Sequence, residues 1–146
     1  MINVKKLSLN YGKNEILKDV SFKVKASNVS VILGPNGVGK TALLRCITGI
    51  NKYSGEIQIY DKNNNTIKNE EGYKYISYLS QDTSCNAVLT VFETILIGKL
   101  QSLSLKVTNE DIDKVEHMME KLKISHLADR YINEISGGQR QMVFIA

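Results

Sequence analysis

The sequence predicts an α/β fold with an antiparallel β region first and a helical region later. Three observations predict it. Val20, Phe22 and Val24 alternate with Ser21, Lys23 and Lys25, the period-two pattern of a strand with one wet face. Val29-Ser30-Val31-Ile32-Leu33 is a nearly continuous β-branched run, as expected of a strand buried on both faces, and it leads through a glycine-rich loop into a helical stretch. Ile112, Val115, Met119 and Leu122 recur at helical spacing and define one apolar face.

The elements follow in order. Ile2, Val4, Leu7 and Leu9 are spaced almost by twos, and Tyr11-Gly12 reads as a turn before the Val20–Val24 strand. After the glycine-rich loop, Leu43, Cys46 and Ile47 share one helix face, closed by Gly49 at a C′ position. Strands are predicted over 56–60 and 73–80, with a turn region at Asn63-Asn64-Asn65 between them. Thr90-Val91-Phe92-Glu93 is a capping-box pattern that opens a helix toward Gly98. The helix carrying Ile112 to Leu122 has Lys121 and Lys123 near its end, where the dipole favours cations. Its methionines read as core filler and His117 and His126 as surface residues.

Composition limits the function classes. With 146 residues, 16.4 kDa, 42% hydrophobic and 23% charged residues, the chain has the size of one domain and a globular balance, not a disordered one. A net charge of +4 suits phosphate-bearing ligands, although most such lysines are solvated surface. Two cysteines, Cys46 and Cys85, make neither a disulfide framework nor a zinc pair, and reduced intracellular thiols are expected. The start Met1-Ile2-Asn3-Val4-Lys5-Lys6 lacks a signal peptide's apolar region, and no run approaches the roughly 18 apolar residues of a membrane span. The last residues, Met142-Val143-Phe144-Ile145-Ala146, form an apolar run with no stop signal.

Gly34-Pro35-Asn36-Gly37-Val38-Gly39-Lys40-Thr41 matches G-x-x-x-x-G-K-[ST], after a predicted buried strand and before a helix. Glycines let the backbone wrap so that successive N–H groups point into one concavity, and the following helix adds its positive dipole end. In this P-loop, Lys40 is placed to reach the β- and γ-phosphates and the Thr41 hydroxyl to bind Mg²⁺. Pro35, the only proline, sits where no ladder hydrogen bond is lost.

A P-loop indicates only a nucleoside triphosphate. The discriminating segment is Ile135-Ser136-Gly137-Gly138-Gln139-Arg140-Gln141. Ser136 is an N-cap candidate, Gln139 completes a capping box, and the two glycines leave first-turn amides uncovered for a second anion.

With these motifs in this order, the sequence resembles the ATP-binding cassette (ABC) family from about Leu7 onward. The resemblance implies a P-loop NTPase core with an N-terminal antiparallel β region and an inserted α-helical subdomain, incomplete at the C-terminus. It implies three parts: residues 1–85 as β-rich and P-loop core, 86–133 as helical subdomain, and 134–146 as signature motif with the start of its helix. Tyr11 matches the aromatic that stacks on adenine. Gly34, Pro35, Asn36, Gly37, Val38, Gly39, Lys40, Thr41 and Ala42 match the loop that holds ATP. Gln81 matches the glutamine that touches Mg²⁺ and the attacking water and faces the transmembrane partner. Ser136, Gly137, Gly138 and Gln139 match the signature, with Ile135 for the usual leucine. Ala42 is a departure: many members carry a hydroxyl there toward the α-phosphate, and losing that bond weakens binding by about 1 kcal/mol.

By the same resemblance, two cassettes pair head to tail with each ATP between one P-loop and the partner's signature. Their closure and opening, at the cytoplasmic face of the membrane, move transmembrane permease subunits, with a substrate-binding protein as an indirect partner. Residues 91–99 and 135–146 look similar to importers of iron–siderophore, haem or cobalamin complexes. Other importer cargo, and a nucleic-acid-linked or ribosome-associated cassette, are the alternatives. Against the chromosome-organising kind, Lys40 and Ser136 are not separated by long heptad repeats; against the repair kind, zinc cysteine pairs are absent. The ribosome-associated kind needs two cassettes in one chain and stays open; no nucleic acid is expected as a partner. A third alternative is nucleotide binding without catalysis. Hydrolysis needs an acid at the metal and a group that positions water. The family's apolar strand ending in Asp-Glu does not occur here, and Asp61 is a poor imitation that precedes the signature. The chain is thus expected to be roughly the first 60% of a cassette, cut soon after a helix N-cap, with apolar sheet edges that limit its solubility.

Overall fold

The structure, a computed structural model, describes residues 1–61, 65–67, 75–81, 88–99 and 107–146. They form two compact units, Met1–Tyr78 and Leu79–Ala146.

The first unit is a four-stranded antiparallel sheet with one helix. β1 (Ile2–Tyr11) and β2 (Asn14–Val24) form a hairpin, with Gly12 at φ 60 in its turn. β3 (Ser54–Tyr60) pairs with the other edge of β1, and the two-residue β4 (Thr66–Ile67) pairs with β3, giving the order β2-β1-β3-β4. α1 (Lys40–Ile47) follows the glycine-rich loop. Val4, Leu7, Leu9, Leu17, Ile57, Ile59 and Ile67 from the strands join Ala42, Leu43 and Cys46 from α1 in one buried cluster. The predicted α1 face is therefore the packed one. Burial pushes the Cys46 thiol above its usual range.

β1 is irregular where it passes β2 and β3. Lys6 (φ 46) and Asp19 (φ 48) are left-handed, and side chains replace the missing ladder bonds. The Lys6 N–H donates to Ser21 Oγ (2.8 Å) and the Asp19 N–H to Ser8 Oγ (2.9 Å). The buried Asn3 is satisfied through its amide, which donates to Gln58 Oε1 at 3.1 Å.

Two predicted strands are corrected. Residues 29–33 form no strand, and Val29 (95%) and Leu33 (86%) are largely exposed. A buried strand needs neighbours on both edges, and among the described residues no segment pairs with this one. Residues 75–80 likewise make no ladder; positions 73 and 74 lie outside the described residues, as do Asn63 and Asn64. Asn65 is described: its N–H donates to Asp61 Oδ1 at 2.8 Å immediately before β4, a strand too short to be foreseen.

The second unit is helical. α2 (Val91–Lys99) starts at the predicted box: the Glu93 N–H donates to Thr90 Oγ1 (3.1 Å), and the Thr90 N–H to Glu93 Oε2 (2.8 Å). The next N–H groups are also satisfied, Val91 donating to the Arg130 carbonyl (2.9 Å) and Phe92 to that of Ala128 (3.1 Å). α3 (Asn109–Lys121) has a second box, between Thr108 and Asp111, which the sequence reading did not name. A 3₁₀ turn (Ser125–Leu127) leads to α4 (Gly137–Ile145). Val91, Ile95, Val115, Met119, Ile124, Leu127, Ile132, Ile135 and Val143 form the core of this unit. Met119 is indeed filler, and His117 and His126 are exposed. Among the described residues no helix is long and apolar enough to cross a membrane.

Candidate nucleotide site

Gly39 occupies the N-cap of α1 at φ 101, and no side chain caps this end. The first-turn N–H groups of α1 are thus left to the loop and to whatever enters it. Only glycine fits at position 39: a Cβ would lie 2.9 Å from Leu17 Cδ2 and 3.2 Å from the Ile16 carbonyl oxygen. The loop is therefore pressed against β2. Lys40 begins the helix and turns its ammonium back over the loop, donating to the carbonyl oxygens of Gly34 and Pro35 at 2.7 Å each. Thr41 is exposed beside it. Ala42 is buried, so its methyl serves the core and only its backbone is at hand for a ligand.

Past the far end of α1, the chain is folded tightly. Gly49 (φ 75) donates its N–H to the Cys46 carbonyl (3.1 Å), and the Ile50 and Asn51 N–H groups both donate to the Arg45 carbonyl (2.9 and 3.1 Å). The Asn51 side-chain amide then donates to the Tyr11 hydroxyl at 2.8 Å. Tyr11 is the last residue of β1, and half of its surface is exposed. α1 is thus tied to the P-loop at one end and to Tyr11 at the other. Asn51 was not among the residues singled out from sequence, and no local pattern marks it.

Gln81 is exposed and, like the signature residues, belongs to the second unit. The predicted capping box at Ser136 is formed: the Gln139 N–H donates to Ser136 Oγ (3.2 Å), and the Ser136 N–H to Gln139 Oε1 (2.9 Å). Arg140, which lies in the discriminating segment but has no role read from sequence, braces the approach to α4; its guanidinium donates to the carbonyls of Ile132 (3.0 Å) and Ile135 (3.3 Å). Gly137 and Gly138 are exposed, and a Cβ on either would meet nothing within 4 Å. An open apolar groove of about 640 Å³ lies among α2, α3 and α4, lined by Ile95, Val115, Met118 and Phe144, and none of the motif residues borders it.

The donor set near the P-loop fits a hard cation held chiefly by phosphates. Thr41 offers one hydroxyl, and among the described residues no cluster of His, Cys, Asp or Glu could hold a metal by itself. Mg²⁺ bound there would neutralise charge on the phosphate oxygens.

A glycine loop closed by a lysine at a helix start, with a second Ser-capped glycine helix later in the chain, defines a P-loop domain of cassette type. The chain belongs to the ABC transporter family, whose model matches residues 17–146. It is 36% identical over 150 residues to a protein of Helicobacter pylori named as a probable iron chelatin transport ATP-binding protein, covering 100% of this chain and 59% of that one. It is 33% identical over 156 residues to a phosphonates import ATP-binding protein of Fusobacterium nucleatum, covering 100% of this chain and 63% of that protein. A solved nucleotide-free ATP-binding cassette from an ABC transporter superposes with a TM-score of 0.80 at 30% identity, over 99% of this chain and 62% of that one. The chain therefore spans about 59% of the length of the first curated relatives it matches.

Proposed function

We propose that this chain carries the nucleotide-binding parts of an importer's ATPase subunit. In this reading residues 34–42 hold ATP with Mg²⁺, Lys40 contacts the β- and γ-phosphates, and Thr41 and Gln81 serve the metal. Tyr11 stacks on adenine. Ser136, Gly137, Gly138 and Gln139 face the ATP bound by a second subunit in a head-to-tail dimer. Hydrolysis by the assembled subunit, held peripherally at the cytoplasmic face of the membrane, drives transmembrane permease subunits, to which a substrate-binding protein delivers the cargo.

The observation that carries this reading lies at Gly137 and Gly138. Neither has a positive φ, and neither is crowded by its own chain. Glycine in a helix interior costs about 1 kcal/mol relative to alanine, and among the described residues no close contact at either glycine offsets such a cost. The demand for bare backbone comes from outside, as expected where a phosphate approaches a helix N-terminus.

Cargo of the iron–siderophore, haem or cobalamin type is the first reading, and the Helicobacter relative, named for iron chelatin transport, supports its iron-chelate part. A different cargo is the second reading, favoured by the phosphonates import relative at similar identity. The 146 residues hold both motif loops and no apolar strand ending in Asp-Glu, and for this stretch tested by itself the proposal is nucleotide binding without turnover. The test compares it with Lys40→Ala for Mg²⁺-ATP binding and for phosphate release. Binding that Lys40→Ala abolishes, with equal background phosphate release, is expected. Binding unchanged by Lys40→Ala overturns the site assignment, and Mg²⁺-dependent release lost in Lys40→Ala overturns the non-hydrolysing one.

A further inference from the structure

We propose that Asn51 is a positioning residue for the adenine base, holding the Tyr11 phenol in the orientation that receives it. The inference rests on the reading of Tyr11 as the base platform.

Tyr11 stands at the end of a strand, next to a glycine turn, with its ring half exposed. Packing alone leaves such a ring free to exchange rotamers, and a platform that must first be ordered gives up part of its stacking energy to that ordering. The Asn51 amide supplies the order by donating to the Tyr11 hydroxyl at 2.8 Å. Asn51 is itself anchored. Its backbone N–H donates to the Arg45 carbonyl at 3.1 Å, within the tight fold that follows α1. The eight residues of α1 are a strut about 12 Å long. Lys40 begins that strut, and Asn51 follows it. One rigid helix therefore sets where the phosphate loop and the phenol stand relative to each other. An aromatic platform held by its polar tip keeps both faces of the ring available, which a purely apolar clamp would not.

The experiment measures dissociation constants of the full chain for Mg²⁺-ATP and for Mg²⁺-tripolyphosphate, which lacks the base, in wild type, Asn51→Ala, Tyr11→Phe, the double variant and Tyr11→Ala. If Asn51 acts through the phenol, Asn51→Ala and Tyr11→Phe each weaken ATP binding by about three- to ten-fold, the range of one net hydrogen bond. Tripolyphosphate binding stays unchanged, and the double variant is no weaker than either single one. Tyr11→Ala lowers ATP affinity further. Equal weakening of ATP and tripolyphosphate by Asn51→Ala overturns the inference, because a general loss of structure would do that. Loss of ATP affinity in Tyr11→Ala, with Asn51→Ala and Tyr11→Phe both silent, overturns the role of Asn51 and leaves the platform standing. A silent Tyr11→Ala removes the platform, and the role of Asn51 with it.

Discussion

A Cβ on Gly55 would sit 2.2 Å from the carbonyl oxygen of Lys6 and 2.7 Å from that of Lys5. Gly55 stands at φ 98 in β3, facing the irregular part of β1 where Lys6 itself is left-handed. Two backbones meet there with no room for a side chain. Gly55→Ala adds a strained φ to a backbone clash, and each contributes on the order of 1–3 kcal/mol. A fall in the urea midpoint is expected, larger than that of Gly12→Ala, whose Cβ would meet open space. Equal midpoints for the two variants would contradict the close approach.

The Thr108–Asp111 box makes a pH prediction. The Thr108 hydroxyl and N–H both donate to the Asp111 carboxylate, and with the nearby Lys99 ammonium they hold its pKa down to about 2, from 3.8. A folded pKa below the unfolded one stabilises the fold above the unfolded value, and that gain is lost as pH falls from about 3.8 through about 2. Asp111→Asn should therefore be less stable than wild type at pH 6, with the gap narrowing steadily toward pH 2. Chemical denaturation across that pH series reads it directly, and a gap that stays constant would refute the charge-dependent part.

Ser136 and Gly138 separate stability from function. Gly138→Ala replaces an uncrowded helical glycine and should raise the stability of this chain by up to about 1 kcal/mol. On the proposed reading it lowers turnover in the assembled transporter. Ser136→Arg should abolish that turnover and leave ATP binding by the separate subunit largely intact. Thermal melts and ATPase rates on the same variants make the comparison, and parallel changes in ATP affinity and turnover would count against a site shared across subunits.

Cys46 tests the core of the first unit. It is buried, and burial raises its thiol pKa, so thiolate is scarce near neutral pH. Peptide mapping after iodoacetamide treatment should find Cys46 unmodified in the native chain and fully modified in urea. Rapid native labelling would show that α1 does not hold its packed face closed.

What was legible in the sequence was local. The boxes at Thr90 and Ser136 depend on residues three apart, and both are formed as read. The apolar faces of α1 and α3 follow helical spacing, and Leu43, Cys46, Val115 and Met119 are buried accordingly. The hairpin turn at Gly12 was equally visible. What escaped depends on partners distant along the chain. Residues 29–33 have strand composition, but a strand is a property of a ladder, and no neighbour pairs with them among the described residues. The Asn51–Tyr11 bond joins positions 40 apart, and Arg140 reaches back to Ile132, with no periodicity to announce either. The Thr108 box escaped for a smaller reason: Asp in place of Glu or Gln is a weaker form of the same signal.

The lysine at the head of α1 has a consequence for which ligands this loop can accept. Its ammonium already has two carbonyl oxygens as partners, at Gly34 and Pro35. On the proposed reading, entry of a phosphate is an exchange, in which two dipoles give up a cation to the newcomer. A neutral nucleoside offers nothing for that exchange, and a phosphate chain too short to reach the lysine offers little more. On the proposed reading, a ligand that brings concentrated negative charge to the ammonium displaces them best, so the loop discriminates against weakly charged competitors.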